Sequence, residues 1–287
     1  MKKLSILLTT IFIFGTTGCL KRDNLEDITI YTTVHPIKYI TERLYGEHST
    51  IYSIYPSGVD FSTYELTEKQ IADYSKGNMY IFNGYSKEQD YVAPMFNHNK
   101  NLMIIDTTLS MEKTQHQEEL WLDPSNFLML SLNIKKGLLE YISNHYLREE
   151  IERNYEALKI EISNMDANLK LLSESASYKT IVVDNSVWKF LEKYDFTVIS
   201  LEEDATLTQK TISDVKTLIQ NGNVHYIYTF DENNLNDTVS TLVSETDVNI
   251  IELHSLSNLS EKESSEKENY ITLFNENIEQ LKNELYH

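Results

Sequence analysis

The sequence predicts an α/β protein of two lobes, each a mostly parallel sheet flanked by helices, with a long rigid helix joining them. Three observations lead there. β-branched and aromatic runs alternate with helically spaced apolar positions in the first third of the chain, and the alternation restarts after residue 177. Between these stretches, residues 126–172 keep a 3.6-like apolar spacing that no proline interrupts. Strand–helix alternation of this kind means parallel strands with helical crossovers.

The elements follow in order. Ile28-Thr29-Ile30-Tyr31-Thr32-Thr33-Val34 reads as the first strand, because β-branched residues suit a pleated, buried surface. His35-Pro36 ends it, and Ile37, Ile40 and Leu44 give the next stretch helical spacing. Residues 49–55 form a second strand closed by Pro56-Ser57-Gly58, and Thr67 is a suitable N-cap for a short helix over 68–74. Met79-Tyr80-Ile81-Phe82-Asn83 is a buried strand and residues 102–106 another. In the helical region Leu128, Leu132, Ile134, Leu138, Leu139, Ile142, Leu158, Ile162, Leu169 and Leu172 mark one face, with a kink or break expected at Asn144-His145. A straight helix of that length would reach about 70 Å at about 1.5 Å per residue. After a polar break at 173–177, strands are expected at 180–183, 196–201, 224–230 and 248–253. Helices are expected at 188–194, 212–220 and 235–244. Residues 257–267 read as a polar, charged loop, and Ile271, Phe274, Ile278, Leu281 and Leu285 mark a terminal amphipathic helix. The run Glu65-Leu66-Thr67-Glu68-Lys69-Gln70-Ile71 is echoed by Ala205-Thr206-Leu207-Thr208-Gln209-Lys210-Thr211-Ile212, which supports two related lobes rather than a solenoid.

The N-terminus bears on the compartment. Lys2 and Lys3, an apolar run over 4–14 and small residues 15–18 before Cys19 have the layout of a secretory signal. The run is shorter than the roughly 20 apolar residues a membrane span needs. Cys19 is the sole cysteine, so no internal disulfide can form, and its place resembles a bacterial lipobox in which the thiol is lipidated. The expected organisation is a signal peptide over 1–18 and a lipid-anchored linker over 19–27. An N-terminal lobe over 28–125, a helical strut over 126–173 and a C-terminal lobe over 174–287 follow. A formal charge of −19 argues against nucleic acid and against direct adhesion to anionic lipid, both of which reward positive charge. No Gly-x-Ser-x-Gly elbow, phosphate-binding glycine loop or zincin helix is present, which argues against an enzyme.

Four pieces then stand in a telling order: Thr33-Val34-His35-Pro36-Ile37; Pro56-Ser57-Gly58-Val59-Asp60 with Tyr64-Glu65-Leu66-Thr67; Trp121-Leu122-Asp123-Pro124; and the helix over 270–285. In that order, after a lipobox, the chain resembles the zinc/manganese-binding lipoproteins of metal ABC uptake systems, the solute-binding protein family 9 type. The resemblance implies an extracytoplasmic, membrane-anchored monomer that captures one Zn2+ or Mn2+ ion between its lobes and delivers it to an ABC permease. It also implies ligands from four loops, where histidines and a carboxylate are usual. At those places this chain carries Ser62, Glu119, Asn185 and His254. Glu119 and His254 are good ligands for a divalent ion, whereas the hydroxyl of Ser62 and amide of Asn185 are weak ones whose first reading is loop capping. Asp60, Asp184 and His35 are neighbours that could substitute. His116 falls where relatives often carry a histidine-rich loop. The alternative is a divergent member that has lost metal transport and acts as a surface interaction or adhesion lipoprotein.

Overall fold

The computed structural model describes residues 25–112 and 119–286. The signal-peptide reading, Cys19, the start of its tether and His116 lie outside the described residues. Each lobe holds a four-stranded, fully parallel sheet. In the first, β1 (Ile28–Thr32), β2 (Ser49–Ser53), β3 (Met79–Phe82) and β4 (Met103–Asp106) lie in the order β2-β1-β3-β4. In the second, β5 (Thr180–Val183), β6 (Thr197–Ser200), β7 (Tyr226–Thr229) and β8 (Asn249–Glu252) repeat that order as β6-β5-β7-β8. Central strands covered on both faces read as continuous apolar runs; all four residues of β3 are buried.

Helix α1 (His35–Tyr45) follows β1, with Pro36 in its first turn where a missing N–H costs nothing. Helix α2 (Glu68–Tyr74) starts at Thr67 in a capping box with Gln70. Its counterpart α6 (Gln209–Gln220) starts at Thr208, whose side chain accepts the Thr211 N–H at 3.1 Å. The echo between the two sequences is thus a pair of equivalent helix starts in equivalent lobes. A short helix α3 (Val92–His98), which the sequence pattern does not announce, precedes β4. Helix α7 is Asp237–Glu245 and α9 is Tyr270–Leu285. The stretch read as a helix over 188–194 is a 3-10 helix, Ser186–Tyr194.

The single strut is two helices. Helix α4 (Pro124–Tyr141) stops where Ile142 turns extended (φ −87°, ψ 118°), and α5 (His145–Ser175) starts afresh. Asn144 makes the break, since its Oδ1 accepts the N–H groups of Tyr146 at 2.9 Å and Leu147 at 3.4 Å. The helices fold back on each other antiparallel, with Lys135 paired to Glu152 at 2.9 Å and Arg148 reaching the Ile142 carbonyl at 2.8 Å. Helix α5 keeps the bridging role. Its 31 residues extend about 46 Å and pack on α1 of the first lobe and on α9 and the 3-10 helix of the second. Arg43 of α1 grips Glu161 of α5 through two hydrogen bonds of 2.6 Å. One continuous hydrophobic core runs from Ile28 to Leu285 through both lobes, and a smaller one fills the far face of the second sheet. Among the described residues no helix is long and apolar enough to cross a membrane.

Candidate metal centre

In parallel sheets, ligands collect at the carboxyl ends of strands where the strand order reverses. Both lobes turn those ends toward one buried indole. Trp121, in the 3-10 turn Leu120–Leu122, is fully buried. Phe61, from the loop after β2, meets its ring edge-on with centroids 5.8 Å apart. Its Nε1 donates to the Ser255 carbonyl beyond β8 at 2.8 Å, and its own carbonyl accepts the Tyr270 hydroxyl at 2.5 Å. The turn also packs on the 3-10 helix that follows Asn185, where Lys193 pairs with Asp123 and reaches Ser125 Oγ at 2.8 Å. The loops that carry Ser62, Glu119, Asn185 and His254 are therefore gathered around Trp121.

Glu119 is half-buried at the head of the Trp121 turn, its carbonyl accepting the Leu122 N–H at 3.1 Å. His254 stands two residues beyond β8, held by Asn277, which accepts its N–H at 2.7 Å and donates to its carbonyl at 2.8 Å. The Leu256 N–H donates to His254 Nδ1 at 2.8 Å. The neutral ring therefore carries its proton on Nε2, which lies 3.3 Å from Glu263 Oε1. Glu263 belongs to α8 (Glu261–Glu266), a helix inside the segment read as a loop. Its other oxygen, Oε2, accepts the Ser260 N–H and hydroxyl at 2.7 Å each. Burial pushes the Glu263 carboxyl up, but the Ser260 and His254 hydrogen bonds outweigh it and hold it below its ordinary value. The sequence signal for this helix is Ser260 followed three residues later by Glu263, a capping-box pattern.

His35, the first residue of α1, lies beside this pair. Its ring is nine-tenths buried, and burial, aided by the charges of Lys38 and His254, lowers its pKa to about 4. It is therefore neutral near pH 7. Its backbone N–H donates to Ser257 at 2.8 Å. Gly58, left-handed at φ 75°, donates to Leu259 at 2.9 Å, and Asn258 Nδ2 donates to Pro56 at 2.7 Å and Val59 at 2.9 Å. Residues 257–259 of the second lobe are thus stitched to the loops after β1 and β2.

The other candidates are engaged locally. Ser62 is exposed, and both its hydroxyl and N–H donate to Asp60 Oδ1, at 2.7 and 2.8 Å. Asp60 is pushed up by partial burial, but these bonds and one from Thr63 hold it below the usual carboxylate range. Asn185 caps the 3-10 helix, its Oδ1 accepting the Val187 N–H at 2.9 Å. Asp184 takes the Thr229 hydroxyl across the β5–β7 boundary, and burial raises its pKa. The structure pairs His254 with Glu263 and sets His35 close to them, while Glu119 stands at the head of the Trp121 turn. It keeps the side chains of Ser62, Asn185, Asp60 and Asp184 on bonds within their own loops and strand ends.

Known proteins agree with this architecture. The chain is 22% identical over 309 residues to the "Zinc-binding lipoprotein AdcA" of Streptococcus pneumoniae, a match covering 98% of this chain but 61% of AdcA. It is 21% identical to the "High-affinity zinc uptake system protein ZnuA" of Bacillus subtilis, over 91% of this chain and 88% of that protein. The crystal structure of the Zn(II)-bound ZnuA-like domain of Streptococcus pneumoniae AdcA superposes with a TM-score of 0.74 at 19% identity, over 91% of this chain and 100% of that domain. The profile of "ZnuA: Zinc-uptake complex component A periplasmic" matches residues 30–284. By that match, which leaves out little but the two ends, the chain belongs to the ZnuA family of binding components for metal uptake, which are not enzymes.

Proposed function

We propose that the protein is an extracytoplasmic receptor that captures one divalent metal ion, zinc before manganese, and delivers it to an ABC permease. We further propose that it acts as a monomer anchored to the membrane through lipidated Cys19. The observation that carries this reading is the gathering of strand-end loops from both lobes around Trp121: Glu119 immediately precedes its turn, and its indole donates to Ser255, the neighbour of His254. Relatives described as zinc-binding or zinc-uptake proteins favour zinc over manganese. Imidazole nitrogen with carboxylate oxygen suits zinc, and a more oxygen-rich shell would admit manganese. The net charge of −19 attracts cations to the surface.

The capture groups in this reading are Glu119 and His254, with Glu263, whose Oε1 lies 3.3 Å from His254 Nε2, as a further carboxylate beside the imidazole. Ser62 and Asn185 enter only as weak outer groups, with Asp60, Asp184 and His35 behind them. An ion binds His254 Nε2 once the ring leaves the Leu256 N–H, so that its proton can sit on Nδ1. Relatives whose descriptions name zinc binding or zinc uptake favour transport over a purely adhesive role, although a laminin-binding protein of Streptococcus pyogenes shares the fold. The test is zinc titration and elemental analysis of the mature chain purified without chelator. The Glu119→Ala/His254→Ala double variant should lose affinity by more than roughly a hundredfold, since even outer-shell partners cost 10–100-fold. Unchanged affinity in the double variant refutes the assignment.

A further inference from the structure

The carboxyl ends of β1–β4 face the crevice; the opposite end of that sheet carries a different constellation. The 3-10 turn Gly46–His48 leads into the amino end of β2. His48 Nε2 lies 3.1 Å from Oε1 of Glu150 in the second turn of α5, and the exposed Glu47 carboxylate stands beside them. One ligand atom from each of Glu47, His48 and Glu150 lies within 4.8 Å of the other two. Glu150 is only 8% exposed. A buried carboxylate needs a countercharge, yet among the described residues no lysine or arginine pairs with Glu150 or Glu47. Two anionic groups thus converge on one imidazole, and a divalent cation would neutralise them.

The backbone that presents them is fixed from several sides. Asp27 N–H donates to the His48 carbonyl at 2.9 Å, Ser49 Oγ to the Tyr45 carbonyl at 2.8 Å, and Asn154 Nδ2 to the Leu44 carbonyl at 3.2 Å. The Tyr45 ring flanks His48 at 5.4 Å between centroids. We propose that Glu47, His48 and Glu150 form a second divalent-cation site, independent of the crevice, that takes zinc or manganese with water completing the shell. Three protein ligands and an open position are a normal arrangement for zinc, and two carboxylates leave room for manganese. A cation there pins the α1–β2 corner to the bridging helix α5.

The test uses the full mature chain, metal-depleted and then dialysed against zinc alone, with bound zinc counted by elemental analysis. The wild type should hold two ions. His48→Gln and, separately, Glu47→Gln should each hold one; both residues are partly exposed, and circular dichroism verifies that the fold survives. Glu119→Ala/His254→Ala should also hold one, which His48→Gln added to it removes. Zinc content unchanged by His48→Gln and Glu47→Gln overturns the second site whatever the crevice does. If instead one ion is bound, survives Glu119→Ala/His254→Ala and is lost with His48→Gln, the second site stands and the crevice assignment falls.

Discussion

Glu88 is fully buried at the end of β3's loop, accepting the Tyr55 hydroxyl at 3.1 Å and the Asn83 N–H at 3.2 Å. Burial dominates these bonds and raises its pKa from 4.5 to about 7. The sign is opposite to that of a salt-bridged carboxylate. Below pH 4.5 both folded and unfolded chains hold the proton. Between 4.5 and 7 the unfolded chain releases it first, so stability falls as pH rises and levels off above 7. The contribution is about 3 kcal/mol. Urea unfolding at pH 5 and pH 8 should show this loss in the wild type and a correspondingly smaller one in Glu88→Gln. Equal pH dependence in the two proteins would remove Glu88 from the account. Glu263 tests the crevice at the same scale. Glu263→Gln keeps its shape but weakens the hold on both His254 and the α8 cap, so zinc affinity should fall by about tenfold, as measured by competition with a chromophoric chelator. An affinity equal to wild type would leave Glu263 a cap alone. Much of this was hidden in the sequence: Ser62, Asn185 and Glu119 could be placed by motif, but their side-chain partners depend on loop conformation. Glu263 was obscured because the charged run 261–268 resembles a solvated loop until Ser260 is seen to cap it.

At the scale of elements the strands were legible, because buried parallel strands announce themselves as short β-branched and aromatic runs. The strut was legible as helix but not as two helices. Apolar spacing passes through Ile142 almost unbroken, since that residue is buried whether the chain continues straight or turns back. Only Asn144, a weak cap signal in isolation, distinguishes the two. Helix α3 was missed because Pro94 lies within its first turn and only Met95 is buried along its seven residues. The packing of α4 on β4 rests on a glycine: a Cβ on Gly137 would come within 2.7–2.8 Å of three Ile105 side-chain carbons. Gly137→Ala forces Ile105 to shift or the helix to lift, and should cost about 1–3 kcal/mol of stability. Combining it with Ile105→Val should recover part of that loss. Chemical denaturation of the single and double variants checks both.

At the scale of the whole molecule, the two sheets share one strand order but are not free to swing. Helix α5 packs on both lobes, the Arg43–Glu161 clamp holds α1 to it, and one core continues through the junction. On the proposed function, this frame calls for capture by local rearrangement of loops and of α8, not by a hinge closure. Small-angle scattering curves of metal-free and zinc-loaded protein should superimpose, and thermal unfolding should occur in a single transition that zinc moves upward. At zinc about 100 times its dissociation constant the gain is about 2.7 kcal/mol. A clear contraction on loading would contradict the rigid frame.

The indole at the meeting of the loops has a practical consequence. The chain contains two tryptophans, and the other, Trp188, is packed away between Phe190 and Phe230. Replacing Trp188 by phenylalanine leaves a single tryptophan, which red-edge excitation separates from the tyrosines and whose surroundings are the Ser255 carbonyl, the Phe61 edge and the Tyr270 hydroxyl. Any guest that disturbs these neighbours alters colour or intensity at Trp121. That variant thus offers an optical test of the proposed occupancy that needs no attached dye.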